Sequence, residues 1–297
     1  MRDFQYIAAR SLDQAVTQLA NAGADGRVLA GGTDVIVQMR EGRRHVEVLV
    51  DVKGLPETNQ LSYDKTTGLR LGAALPCYRI YENKDVATVY PSLVDSASLI
   101  GSTGIQGRAT LGGNLCNSSP AADSIPTLIA LGATCHIAGP NGERDVPVEK
   151  FCVAPGSNVL EAGELLVWFD FPAPKANSGA RFLRFIPRNE MDIAVVNAAV
   201  QVELDESGTT IRRGRVAVGA VAPTPLMLED AASVVEGKPA TMETFSEAAV
   251  LARAAARPIS DTRGTAAQRK HLVEVMVRRA FEGAVSRARG QGLGIGG

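Results

Sequence analysis

Apolar residues recur along this chain with two different spacings, and the change from one to the other outlines its elements. Leu12, Ala15, Val16 and Leu19 fall on one helical stripe behind Ser11-Leu12-Asp13-Gln14, a capping box, and Gly23 ends it. Arg27-Val28-Leu29-Ala30 then predicts a strand that runs into Gly31-Gly32-Thr33-Asp34 and a second short helix through Met39. The mostly apolar runs Val46 to Val52 and Leu69 to Leu75 predict buried strands, with Gly68 and Gly72 as punctuation. Pro91 to Ile100 reads as a helix with proline in its first turn, and Ile125 to Leu131 as another. Ala133 to Ile137 and Arg144 to Val146 flank Pro140-Asn141-Gly142, a hairpin signal, and Leu165 to Phe171 is a further strand closed by Pro172 and Pro174.

The segment Pro172 to Gly179, rich in proline and small polar residues, reads as a domain boundary. Beyond it, Arg181 to Ile186, Ile193 to Leu204 and Ile211 to Val221 predict three antiparallel strands, the last two joined at Glu206-Ser207-Gly208. Helices follow near Leu226 to Val235 and Phe245 to Ala256, and a last one carries the stripe Leu272, Val273, Met276, Val277, Ala280, Phe281 and Val285. The fold class expected is α+β. The units expected are 1–176, divided near 54, then 177–290, with a glycine-rich flexible tail at 291–297.

Composition narrows the function. With 297 residues, 45% hydrophobic and 21% charged, the chain has material for two or three packed units. A net charge of -1 supplies no broad positive field, which argues against nucleic acid or an anionic membrane as partner. No apolar run is long enough to cross a bilayer and the N-terminus lacks a signal-type core, so a cytoplasmic location is expected. Cys77, Cys116, Cys135 and Cys152 lack the close pairing of zinc or iron–sulfur ligands and read as buried thiols. His45, His136 and His271 fall in no metal-ligand or nucleophile motif.

The chemistry sits in the glycines. In Ala109-Thr110-Leu111-Gly112-Gly113-Asn114, paired residues without Cβ let a phosphate or ring approach the backbone N–H groups. Asp123, at the mouth of the helix beginning near Ile125, either accepts hydrogen bonds from ribose or ribityl hydroxyls or caps that helix. Strand, Gly31-Gly32, then helix is phosphate-binding geometry, although it matches neither the dinucleotide fingerprint nor the P-loop, and a plain strand-to-helix turn is the alternative.

Three dispersed motifs occur in register: Ala30-Gly31-Gly32-Thr33-Asp34; Thr110-Leu111-Gly112-Gly113-Asn114 with Ser119-Pro120-Ala121-Ala122-Asp123; and Arg188-Asn189-Glu190-Met191-Asp192-Ile193-Ala194. In these the chain resembles the FAD-binding medium subunit of molybdenum hydroxylases, the xanthine dehydrogenase and carbon monoxide dehydrogenase family, from about Phe4 to the last helix. The resemblance implies a PCMH-type FAD-binding unit of two subdomains with the cofactor between them, followed by a smaller α+β domain. It implies that Ala30 to Asp34 wrap the FAD pyrophosphate, with Leu29 and Val35 lining the turn. It also implies phosphate and ribityl contacts at Ala109, Thr110, Gly112, Gly113, Asn114 and Asp123, with Ala122 beside them. Leu165 or Leu166 matches a leucine whose backbone meets the flavin ring. Arg184 stands where a lysine often approaches it, a change that keeps charge but alters geometry. Ile193 replaces a tyrosine of some relatives near the ring face.

The implied function is electron relay. A molybdopterin-containing large subunit hydroxylates the substrate, a small subunit with two 2Fe–2S clusters passes electrons on, and the FAD of this chain collects them, in a dimer of heterotrimers. One branch of the family inserts an iron–sulfur loop after the second glycine motif; Cys116 sits there without partner cysteines, so no iron is expected in this chain. Two other readings share the motifs: a self-contained flavoenzyme such as an alcohol oxidase or the murein-precursor reductase, and a non-catalytic nucleotide-binding assembly protein. The lack of a histidine near either glycine motif for covalent flavin attachment weakens the oxidase.

Overall fold

Three main sheets, each with its own helices, and one small two-stranded sheet make up the computed structural model, which describes residues 3–188 and 191–291. The first unit comprises β1 (Gln5–Ala8), α1 (Leu12–Ala22), β2 (Gly26–Leu29), α2 (Val35–Arg40), β3 (Val48–Asp51) and α3 (Pro56–Asn59). Its strands are all parallel, in the order β1-β3-β2. Ser11 Oγ caps α1 by accepting from the Gln14 N–H at 3.1 Å, while Gln14 Oε1 reaches back to the Arg10 N–H at 2.7 Å.

The second unit begins with β4 (Leu61–Asp64) and β5 (Gly68–Gly72), then short helices α4 (Cys77–Tyr81), α5 (Lys84–Val89), α6 (Pro91–Ala97), α7 (Thr103–Gln106), α8 (Leu111–Asn117) and α9 (Ile125–Ala130). Strands β6 (Thr134–Gly139), β7 (Gly142–Pro147), β8 (Cys152–Ala154), β9 (Ser157–Asn158) and β10 (Leu165–Phe171) complete it. The main sheet is antiparallel, ordered β4-β5-β10-β6-β7, and β8 and β9 form a separate hairpin. The hairpin between β6 and β7 closes over Pro140-Asn141 with Gly139 opposite Gly142. Leu69, Leu71, Phe151, Phe169 and Phe171 build the core between sheet and helices.

The third unit follows the proline-rich segment as β11 (Ser178–Phe185), β12 (Val196–Leu204), β13 (Ile211–Gly219), β14 (Leu226–Met227), α10 (Glu229–Ser233), α11 (Met242–Ala255) and α12 (Ala266–Ala288). The mixed helix-and-sheet architecture agrees with the α+β expectation, with two differences in the strands. The third sheet has four strands rather than three, because Leu226 and Met227 pair with Val218 and Ala217. The helix expected from Leu226 is displaced to Glu229: Thr224 and Pro225 favour extended backbone, and Glu229 and Asp230 supply the negative charge a helix start favours. The strand expected from Ile193 begins at Val196, which leaves Ile193 in the approach loop, half exposed. The tail beyond Gln291 and the pair Asn189 and Glu190 lie outside the described residues.

The second and third units meet through buried charge. Asp95 on α6 accepts from both Arg287 guanidinium nitrogens, at 2.6 and 2.8 Å, from Arg181 at 3.1 Å and from the Phe182 N–H at 3.2 Å. All three charged side chains are below 10% exposed. Phe182, Ala199, Ala130 and Leu99 close the same seam with apolar contact.

Candidate functional site

A cleft of about 580 Å³ opens between the first two units, within the size range of small-molecule and cofactor sites. The first glycine bend forms one wall. β2 delivers the chain to Gly31 and Gly32, and the latter takes φ +80, a backbone state that residues with a Cβ rarely adopt. Asp34 stands at the N-cap of α2 yet makes no side-chain cap. Among the described residues, the backbone N–H groups of Gly31, Gly32, Thr33 and Asp34 donate to nothing within the protein. Four consecutive unspent donors beside a helix N-terminus are a cradle for anionic oxygen.

The second glycine motif supplies the opposing wall, and it is helical. Gly112 and Gly113 lie inside α8, because the Thr110 side chain caps that helix and accepts from the Gly113 N–H at 2.9 Å. The glycines serve close packing instead. A Cβ on Gly112 would collide with Ala73, whereas one on Gly113 would meet only Thr110 Oγ1, at 3.1 Å. Gly31 touches the segment ahead of α8: its carbonyl accepts from Arg108 Nε at 3.1 Å, and an added Cβ would overlap the Arg108 carbonyl. Gln38 on α2 donates to Asn117 on α8 at 3.0 Å, so the walls are also joined through side chains.

The third side is the segment from Gly156 to Leu166. The Gly156 N–H donates to the Ser118 carbonyl at 3.0 Å, and Asn158 Nδ2 to the Cys116 carbonyl at 2.9 Å, which hold the hairpin of β8 and β9 against the end of α8. Leu165 and Leu166, buried at the start of β10, give this side an apolar base. Burial pushes the Cys116 thiol up to about 12, so it stays protonated near neutrality.

Thirteen of the positions named from sequence line the cleft: Ala30, Gly31, Gly32, Thr33, Asp34, Val35, Ala109, Thr110, Gly112, Gly113, Asn114, Leu165 and Leu166. Five do not. Leu29 turns into a small apolar cluster with Met39, Val46 and Leu49. Ala122 is buried, with its carbonyl accepting from Asn197 at 3.3 Å. Asp123 caps nothing; its Oδ2 accepts from Arg184 Nη1 at 2.9 Å, the same nitrogen that donates to the Leu99 carbonyl at 2.8 Å. The remaining oxygen, Asp123 Oδ1, is buried without a partner, and burial pushes this carboxyl up to about 6 against the opposing pull of Arg184. Ile193 is 52% exposed in its loop.

Two of these five positions, Asp123 and Arg184, connect to the cleft wall through their neighbours. Ser124, next to Asp123, donates to Asn114 Oδ1 through both its N–H (3.2 Å) and its hydroxyl (2.6 Å), and Leu99, held by Arg184, precedes the cleft residue Ile100. The cleft also contains polar side chains not expected from sequence, among them Arg27, Gln38, Arg44 and Asn117. Arg27 carried one signal, a charge within an apolar strand run; the other three carried none.

The walls therefore suit an elongated ligand that combines phosphate with apolar and hydroxyl-bearing parts, as a flavin dinucleotide does. Residues 2–174 match the family model described as the FAD binding domain in molybdopterin dehydrogenase, and residues 181–284 match the CO dehydrogenase flavoprotein C-terminal domain. The chain is 31% identical to the xanthine dehydrogenase FAD-binding subunit of Escherichia coli O157:H7, over 98% of this chain and 99% of that one. It is 31% identical to the carbon monoxide dehydrogenase medium chain of Hydrogenophaga pseudoflava, over 96% and 98%. Among solved structures, a chain of reconstituted CO dehydrogenase from Oligotropha carboxidovorans superposes with a TM-score of 0.91 at 30% identity, over 96% of this chain and 99% of that one.

Proposed function

The chain belongs to the FAD-binding subunits of the molybdenum hydroxylases, and from that premise we propose that it serves its complex as the electron-transfer subunit, receiving electrons from 2Fe–2S clusters of a partner. The observation that carries the reading is the cradle of unspent donors at Gly31 to Asp34, facing the close-packed glycines of α8 across one cleft. FAD, when bound, supplies one- and two-electron chemistry.

The residues of the chain hold and tune. Backbone N–H groups of the first bend meet phosphate oxygen without adding a side-chain charge. Thr110 fixes α8 so that Gly112 packs on Ala73 while Gly113 keeps a bare face. Leu165 and Leu166 exclude water from the base of the cleft. Arg184 and the segment of Asp123 act from behind this wall: Arg184 fixes Leu99, and Ser124 beside Asp123 fixes Asn114. No side chain is required as a general acid or base.

From membership of the family we propose the other subunits: a large subunit with molybdopterin and a small one with two 2Fe–2S clusters, in a dimer of heterotrimers. The test is purification from the native cells. Co-purification of molybdenum, iron and FAD in fixed ratio supports the relay. A colourless protein that binds only ATP overturns the FAD reading, and an isolated chain whose flavin is bleached by a substrate alcohol with no partner present overturns the relay.

A further inference from the structure

The turn from β9 into β10, whose residues 160–166 line the third side of the cleft, takes its shape from a charge outside it. Arg144, on the edge strand β7, is not among the lining residues. Its Nε and Nη2 form a fork on the two Glu164 carboxylate oxygens, each at 2.7 Å, and Nη2 also donates to the Val159 carbonyl at 2.8 Å. Glu164 Oε2 accepts in addition from the Glu161 N–H at 2.7 Å. One guanidinium thus ties both ends of the turn, and the carboxylate it holds ties the middle. The Glu164 side chain is only 10% exposed. The Arg144 hydrogen bonds hold its carboxyl below the usual carboxylate range against the effect of burial, with the Glu161 N–H assisting. Neighbours press on the turn from both sides: a Cβ at Gly139 on β6 would overlap Glu164 Cγ, and Gly163 lies against Ala20 of α1 and Pro140.

We propose that Arg144 is a positioning residue for the cofactor: by clamping Glu164 and Val159 it holds the turn, and with it the apolar base at Leu165 and Leu166, in place to exclude water from the ring of the bound ligand. The proposal rests on the reading of the cleft as an FAD site and adds what fixes its third wall. The cradle at Gly31 to Asp34 suits phosphate, whereas Leu165 and Leu166 offer apolar surface, which suits a ring. A turn outside helix and sheet has to be ordered before it packs on a ligand, and a clamp already formed removes that cost from binding.

The test titrates FAD into the full chain stripped of cofactor. Arg144→Met keeps the length of the stem and removes the fork; Glu164→Gln keeps the shape and removes the charge. Each is expected to weaken FAD about tenfold and to blur the vibronic structure of the bound flavin's visible band as water reaches the ring. Because the two side chains act as one clamp, the double variant should also lose about tenfold, not about a hundredfold. Arg144→Lys keeps the charge without the fork and should fall between Arg144→Met and wild type. Phe245→Leu, in the core of the third unit, lowers stability away from the clamp and should bind FAD as wild type does. Wild-type affinity and spectrum in a folded Arg144→Met overturn the proposal. So does a loss of about a hundredfold in the double variant, which would make Glu164 a ligand contact in its own right. An equal loss in Phe245→Leu, which would make affinity follow stability alone, overturns it too. If the wild-type chain refuses FAD yet binds ADP, the flavin reading falls; a non-additive loss of about tenfold for ADP then upholds the clamp, and no loss overturns it.

Discussion

The Gly31 carbonyl accepts a hydrogen bond from Arg108 Nε at 3.1 Å, and the Gly31 Cα faces the Arg108 carbonyl so closely that no Cβ fits between them. Residues 77 apart in sequence thus bring the first bend against the segment that leads into α8. The close approach of Gly31 to the Arg108 carbonyl is backbone on backbone, with the Arg108 side chain bonded beside it. Gly31→Ala should force the walls apart, lowering stability by about 1–3 kcal/mol as overpacking does, and should abolish flavin retention. Urea unfolding and the flavin-to-protein absorbance ratio read the two effects; retention at wild-type ratio would mean that the bends need not touch.

The paired glycines of α8 are not equivalent. A Cβ at Gly112 strikes Ala73, so Gly112→Ala should destabilise the fold itself. At Gly113 the only neighbour within reach is Thr110 Oγ1, at 3.1 Å, so Gly113→Ala should leave the melting temperature within a few degrees of wild type and weaken FAD about tenfold or more. Equal loss of stability in both variants would show that Gly113 is a packing residue as well.

Much of the fold was legible because its signals are local. Gly142 marks the hairpin of β6 and β7, Ser11 and Gln14 start α1, and the apolar run at Leu165 to Phe171 coincides with β10. Gly31 and Gly32 announced a strand-to-helix bend from their immediate neighbours alone. What escaped depended on partners distant in sequence. Gly112 and Gly113 read as backbone N–H groups open to a phosphate or ring, but the Thr110 cap takes the Gly113 N–H and both glycines lie in a helix, Gly112 packed on Ala73. Asp123 read as a ligand or a cap, and the structure gives its carboxyl to Arg184, 61 positions away. Arg44 has no local pattern at all, since its only significance is the cleft into which tertiary packing places it.

Asp95 tests the seam between the second and third units. Its carboxylate is shared by Arg181 and Arg287 and by the Phe182 N–H, all buried. Asp95→Asn leaves two buried cations facing a neutral amide, and removal of one partner from such a group costs about 3–5 kcal/mol. The denaturation midpoint should fall accordingly. Replacing Arg253, whose pair with Glu274 is exposed, should shift it by less than about 1 kcal/mol. Comparable effects at the two sites would mean that the buried triad contributes no more than a surface pair.

The Asp123 carboxyl gives the chain a pH dependence of definite sign. Its folded-state value of about 6 lies above the ordinary 3.8, with burial as the main cause and Arg184 as the opposing charge. Folding therefore favours the protonated form. The contribution is fully present below about pH 4 and is lost as pH rises through about 6, amounting to roughly 3 kcal/mol for a shift of about two units. Asp123→Asn cannot titrate but keeps the shape of the protonated carboxyl. The stability of the cofactor-free wild type minus that of Asp123→Asn should therefore decline between pH 4 and pH 7, measured by urea unfolding at each pH. A difference that stays flat, or one that grows with pH, would mean that Arg184 outweighs burial and that Asp123 is ionised throughout.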